Sequence, residues 1–164
     1  MSARITVAGV EVSPDHLIGG ERVAGDSTFT DISPIDGEPL GEIARGGAHE
    51  ADLAIAAATE AFPAWAALGA AGRAAHLRVL ADLVDANVDR LAEVECRDMA
   101  MLLRSLKARV IGRGARNFRA YADLAAGYEE RVWSSNGTHN RVIRMPSGPA
   151  VVITPWNAPF MLST

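Results

Sequence analysis

The 164-residue sequence carries a formal net charge of −4, which argues against a nucleic-acid surface, since that needs a basic stripe. Apolar residues make up 49%, enough for the core of one domain or of part of a larger one, although much of that share is alanine, which buries little area. One cysteine excludes an internal disulfide framework and fits a reducing, cytoplasmic compartment.

Met1 to Thr6 lacks the apolar run of a signal peptide. Ile5 and Val7, then Val10 and Val12, alternate with polar neighbours, which predicts a short edge strand or hairpin. Asp31 to Ile43 is strand-turn-strand material, with Pro34 and Asp36-Gly37 at the turn. Gly46-Gly47 breaks the chain before a helix predicted over about Glu50 to Ala61. Glu50 and Asp52 sit in its first turn, where the helix dipole favours them, but neither Ala48 nor His49 is a preferred N-cap. Ala54, Ala57, Ala58 and Ala61 form a small-residue stripe, and Pro63 and Gly69 are expected to end the element. The window from Leu53 to Gly72 is nearly uncharged, yet Glu60 and Pro63 interrupt it and alanine is weakly apolar. It reads as a soluble helix and turn, so no membrane partner is expected.

A second helix is predicted from Arg73 to Asp98, with Leu77, Leu80, Val84, Val88, Leu91 and Val94 on one face. A third, roughly Leu103 to Tyr128, repeats the spacing with Leu103, Leu106, Val110, Gly114, Tyr121 and Leu124. Gly112 and Gly114 weaken it, at roughly 1 kcal/mol each relative to alanine, and suit the close approach of another backbone. Arg131 to Met145 reads as a hairpin around Asn136-Gly137, the favoured pair for a type I′ turn. Its residues alone do not discriminate a surface hairpin from an intersubunit arm.

Ala150 to Thr154 is a short apolar run that suits a strand buried on both faces, as in a parallel sheet. Pro155 removes a backbone donor and stops the ladder. The carboxyl end of such a strand is where α/β proteins bind ligands, and here it carries Trp156, Asn157 and Pro159. The Asn157 amide is a neutral donor suited to a developing oxyanion. The competing reading, equally weighted on chemistry alone, is that it caps the next helix or satisfies the turn. Trp156 reads either as a flat apolar wall for a ligand or as core beside a buried strand, and Ile153 reads as core. Cys96 stands mid-helix without a nearby histidine and reads as structural. His16, His49, His76 and His139 are scattered without ligand spacing, so no metal site is expected. Glu95 and Asp98 read as a solvated face. Asn136-Gly137-Thr138 is formally a glycosylation acceptor but is more simply a turn.

The stretch Met145 to Phe160 resembles the aldehyde dehydrogenase family, whose pattern there runs Pro-x-Gly-Val-Val-x-x-Ile-x-Pro-Trp-Asn-Phe-Pro. Pro146, Gly148, Ile153, Pro155, Trp156, Asn157 and Pro159 match it, whereas Pro149, Ala150 and Ala158 depart from it. Ile18-Gly19-Gly20-Glu21, Ile32-Ser33-Pro34 with Asp36-Gly37-Glu38, and Ala61-Phe62-Pro63-Ala64-Trp65 with Arg73 resemble further family motifs. After Asp98, Met99 to Leu103 replaces the usual Asn-Gly-Lys-Pro, and no Gly-x-Gly-x-x-Gly appears.

The resemblance covers about residues 18–164, the first third or so of a typical member. It implies an α/β fold: the N-terminal part of a Rossmann-like cofactor domain, with amphipathic helices, a hairpin arm over 131–145 and a first parallel strand. The catalytic domain, with the nucleophilic cysteine, the general-base glutamate and the cofactor-binding lysine, lies downstream. The implied reaction is NAD- or NADP-dependent oxidation of an aldehyde to a carboxylate through a cysteine thioester. In it Asn157 donates to the thiohemiacetal oxygen, and Ile153, Thr154, Pro155 and Trp156 line the cofactor cleft. The Ile-Gly-Gly-Glu opening looks somewhat like members that oxidise semialdehydes in aromatic catabolism. The 131–145 hairpin would pair with another subunit in a homo-oligomer. The rival reading is a truncated, non-catalytic module that associates with full-length subunits.

Overall fold

The computed structural model describes residues 4–164. Three short hairpins open the chain. Strands β1 (Ile5–Val7) and β2 (Val10–Val12) pair antiparallel, with Ala8 and Gly9 at positive φ in the turn. Strands β3 (His16–Ile18) and β4 (Glu21–Val23) form a second hairpin that apolar alternation does not announce. Gly19 and Gly20, both left-handed, supply the pair that a two-residue turn needs. Strands β5 (Ser27–Ile32) and β6 (Pro39–Arg45) form the third, with a register shift at Asp31 and Ile32. The buried Ser33 closes its turn, its N–H donating to the Glu38 carbonyl at 2.9 Å.

Helix α1 (Ala48–Ala67) starts earlier and ends later than the sequence suggests. Its start is better capped than expected: Gly47 is the N-cap, and its N–H donates to Glu50 Oε2 at 2.7 Å. That backbone bond holds the Glu50 carboxyl below its ordinary value. Pro63 does not end the helix. Its fixed φ is helical, and the carbonyl it leaves unpaired, that of Thr59, lies on a residue exposed to solvent. After Leu68 the chain bends by 115° into α2 (Gly69–Ala86). The long helix expected over Arg73 to Asp98 is two helices: α3 (Val88–Met99) follows a break at Asn87, whose amide donates to the Leu83 carbonyl at 2.9 Å. Among the described residues, no single helix is long and apolar enough to cross a membrane.

The third predicted helix is continuous from α4 (Leu103–Ser105) through a π-helical segment (Leu106–Ile111) into α5 (Gly112–Ala126). The π turn inserts one residue, so the buried stripe after it runs Ile111, Ala115, Ala122. Tyr121 and Leu124, predicted to be inward, are exposed. Helices α2 and α5 pack along small residues, with Ala81, Val84, Ala92, Leu106, Val110, Ile111 and Ala115 as the core. Arg78–Asp123 at 2.8 Å and Arg119–Asp82 at 2.6 Å span the same pair of helices. These pairs are solvated and contribute little.

Strands β7 (Arg131–Ser135) and β8 (Thr138–Val142) form the expected hairpin, with Asn136 and Gly137 both at positive φ. The strand expected over Ala150 to Thr154 does not form. The segment is extended, but among the described residues every ladder is a two-stranded antiparallel one and none lies beside it. Without a ladder partner it is not doubly buried either: Val151 is 75% exposed and Ile153 91%. The chain closes on the short helix α6 (Pro159–Leu162).

Candidate active-site turn

Pro155 ends the extended segment, Trp156 and Asn157 form a turn, and α6 begins at Pro159. Two prolines within five residues fix φ on both sides of the turn and restrict how Asn157 is presented. Ala158 is buried beside it, and its carbonyl accepts from the Leu162 N–H at 3.1 Å. Asn157 itself is exposed. Among the described residues its side chain makes no hydrogen bond, and α6 has no side-chain cap. The amide is therefore not spent on capping or on the turn.

Ile153, Pro155 and Trp156 are exposed beside Asn157, Trp156 at 81%, and form an apolar ledge ending in a neutral amide. Thr154 is half-buried and belongs to another wall. With Pro159, Phe160 and Ser163 it lines a cavity of about 830 Å³ between the first and third hairpins, α2 and α3.

That cavity holds one residue that the sequence reading misplaces, Glu95, whereas Asp98 is exposed as expected. Glu95 is not on a solvated face. It is 7% exposed, and its Oε1 has no hydrogen-bond partner. Burial raises its pKa, the Phe160 backbone N–H opposes the shift, and Asp98 reinforces it. Asp98 is raised too, by desolvation and then by the neighbouring Asp31 carboxylate. The only signal was position: Glu95 stands three residues after the buried Ala92, on the inner stripe of α3. Cys96 is unpaired, half-buried and packed against the core. Among the described residues, no three His, Cys, Asp or Glu side chains group in a way that could hold a metal ion.

A sequence model described as "Aldehyde dehydrogenase family" matches residues 22–164. The chain belongs to the aldehyde dehydrogenase family. It is 35% identical over 151 residues to the 5-carboxymethyl-2-hydroxymuconate semialdehyde dehydrogenase of Escherichia coli, covering 92% of this chain and 32% of that protein. It is 34% identical over 158 residues to the 2-hydroxymuconic semialdehyde dehydrogenase of Pseudomonas sp. (strain CF600), covering 91% of this chain and 32% of the relative. Among solved structures, it is similar to the indole-3-acetaldehyde dehydrogenase AldA of P. syringae, crystallised as a mutant in complex with NAD+ and IAA. The TM-score is 0.89 at 30% identity, over 94% of this chain and 32% of that one. HpcC of Thermus thermophilus gives a TM-score of 0.86 at 36% identity, over 96% of this chain and 34% of that one. The chain thus spans about a third of the length of the aldehyde dehydrogenases it matches.

Proposed function

We propose that this chain is the N-terminal segment of an NAD(P)-dependent aldehyde dehydrogenase that oxidises a semialdehyde to a carboxylate, with Asn157 as a side-chain donor to the oxyanion. The observation that carries the reading is the uncommitted Asn157 amide, fixed between two prolines at the end of an apolar ledge. When a thiolate adds to the aldehyde carbon, the carbonyl π pair moves to oxygen. A neutral, preorganised N–H stabilises that charge without titrating. The ledge of Ile153, Pro155 and Trp156 fits one wall of a nicotinamide site, being flat, apolar and adjacent to the donor. Thr154, which lines the neighbouring cavity with Pro159 and Phe160, completes the stretch assigned to the cofactor cleft. When bound, the dinucleotide supplies the hydride acceptor. The similarity to muconic semialdehyde dehydrogenases motivates the substrate class, and the unpaired cysteine suits the cytoplasm.

The test uses a complete enzyme containing this segment. Asn157→Ala is expected to lower kcat by roughly 10²–10³-fold, as loss of one oxyanion donor typically does, with the cofactor KM little changed. Trp156→Ala is expected to raise the cofactor KM instead, because a flat wall binds ground and transition states alike. Near-normal kcat in Asn157→Ala would reject the assignment.

One observation favours a second reading, a module that associates with other subunits. The β7–β8 hairpin leaves Val132, Trp133 and Val142 exposed. Size-exclusion chromatography of a Trp133→Ser variant tests it, with a shift to a smaller species expected.

A further inference from the structure

We propose that Gly114 is a positioning residue for Asn157: its missing side chain seats α6, and that seat sets the turn presenting the amide. The proposal rests on the reading of Asn157 given above. Gly114 is buried in α5 at an ordinary helical position, so conformational freedom is not why a glycine stands there. By helix propensity alone alanine would be better.

The reason lies across the interface. A Cβ at Gly114 would lie 2.7 Å from Phe160 Cε1 and 3.3 Å from Thr164 Cγ2, inside the roughly 3.5–4.0 Å at which carbons rest. Phe160 is the second residue of α6 and Thr164 follows its end, so both ends of the helix rest on this one position. One turn along α5, Asn117 Nδ2 donates to Thr164 Oγ1 at 3.1 Å and pins the far end. On the other side the Phe160 N–H faces the Glu95 carboxylate of α3. The Phe160 ring packs against the core formed by Leu106, Ile111 and their neighbours. Asn157 stands two residues before α6, and Pro159 leaves that connection little freedom. A displaced α6 therefore displaces Asn157. Gly112 is the internal control, since a Cβ there would meet nothing nearer than Arg116 Nη1 at 3.5 Å.

The experiment compares Gly114→Ala with Gly112→Ala in two settings. In the 164-residue chain, kept dilute enough to be monomeric by light scattering, the Asn157 side-chain NH₂ resonances are followed by NMR. They are expected to shift in Gly114→Ala and not in Gly112→Ala. In a complete enzyme containing the segment, Gly114→Ala is expected to lower kcat by about tenfold to a hundredfold, the scale of a small misplacement. Cofactor KM should hold, and any fall in thermal midpoint from overpacking should be small enough to leave the enzyme folded at the assay temperature. Adding Phe160→Leu, which shortens the side chain that a methyl group would strike, should restore most of kcat. In an Asn157→Ala background, Gly114→Ala should cost nothing further, because it acts through that amide. An unchanged kcat, a loss that adds fully to that of Asn157→Ala, or unmoved Asn157 resonances would overturn the proposal. If Asn157→Ala leaves kcat normal, the mechanism fails instead, and the NMR arm still decides whether Gly114 seats the turn.

Discussion

At the scale of single residues, the inner face of α3 carries one buried carboxylate, Glu95. Asn157 and Trp156 stand in a motif of five consecutive residues, legible because local chain order carries it. Glu95 was misjudged because a charged residue at helical spacing reads as solvated unless the partner face is known. Its buried carboxylate has a pH consequence. Glu95 and Asp98 have folded-state pKa values raised above their unfolded ones, so their protonated forms are favoured by folding. Their contribution is fully present below the ordinary carboxylate range and is lost as pH rises through the raised values. Glu95→Gln is therefore expected to stabilise the protein at pH 7–8 by roughly 1 kcal/mol, allowing for solvent reaching the group through the cavity. The gain should shrink toward pH 4. Thermal melts at both values check it, and an equal effect at the two would mean that the carboxylate is not charged and buried.

At the scale of elements, the hairpins were readable and the helix registers were not. Asn136-Gly137 announces the β7–β8 turn because only left-handed residues close it, and both are found at positive φ. Gly137→Val is accordingly expected to strain the turn, by roughly 1–3 kcal/mol for a non-glycine residue held in an unfavourable region. Loss of cross-strand NMR contacts between Trp133 and Asn140, paired in the native register, would show it, with the α2–α5 core intact. The helices are harder. Apolar spacing placed Tyr121 and Leu124 inside, because a period of 3.6 assumes unbroken α geometry. Leu106 and Ile111, five apart and both fully buried, show where the π turn resets the phase. Pro63 misled in the opposite direction, since a proline on an exposed surface helix can be tolerated where one in a packed helix would break it.

At the scale of the whole molecule, the surface is too large for the mass. A compact folded monomer of 17.3 kDa is expected to expose roughly 7,800 Å², and this chain exposes 11,245 Å². The excess is visible in α1, a 20-residue helix with no buried residue, and in the bare Val151–Ile153 segment. Unpaired extended backbone with apolar side chains invites pairing with another chain. The 164-residue chain is therefore expected to bind a hydrophobic dye and to scatter light increasingly with concentration. Val152→Lys should reduce both. A monodisperse, dye-silent monomer would show that these faces are stable in water. The pairing pattern also has a consequence in time. Each strand finds its partner next to it in sequence, so each ladder closes a loop of only a few residues. Such hairpins form in about 1–10 μs, whereas docking α5 on α2 must first gather the chain between them. Refolding should therefore separate into an early phase seen in β7–β8 and a later one seen in the helical core, with the short hairpins waiting for the helices rather than guiding them.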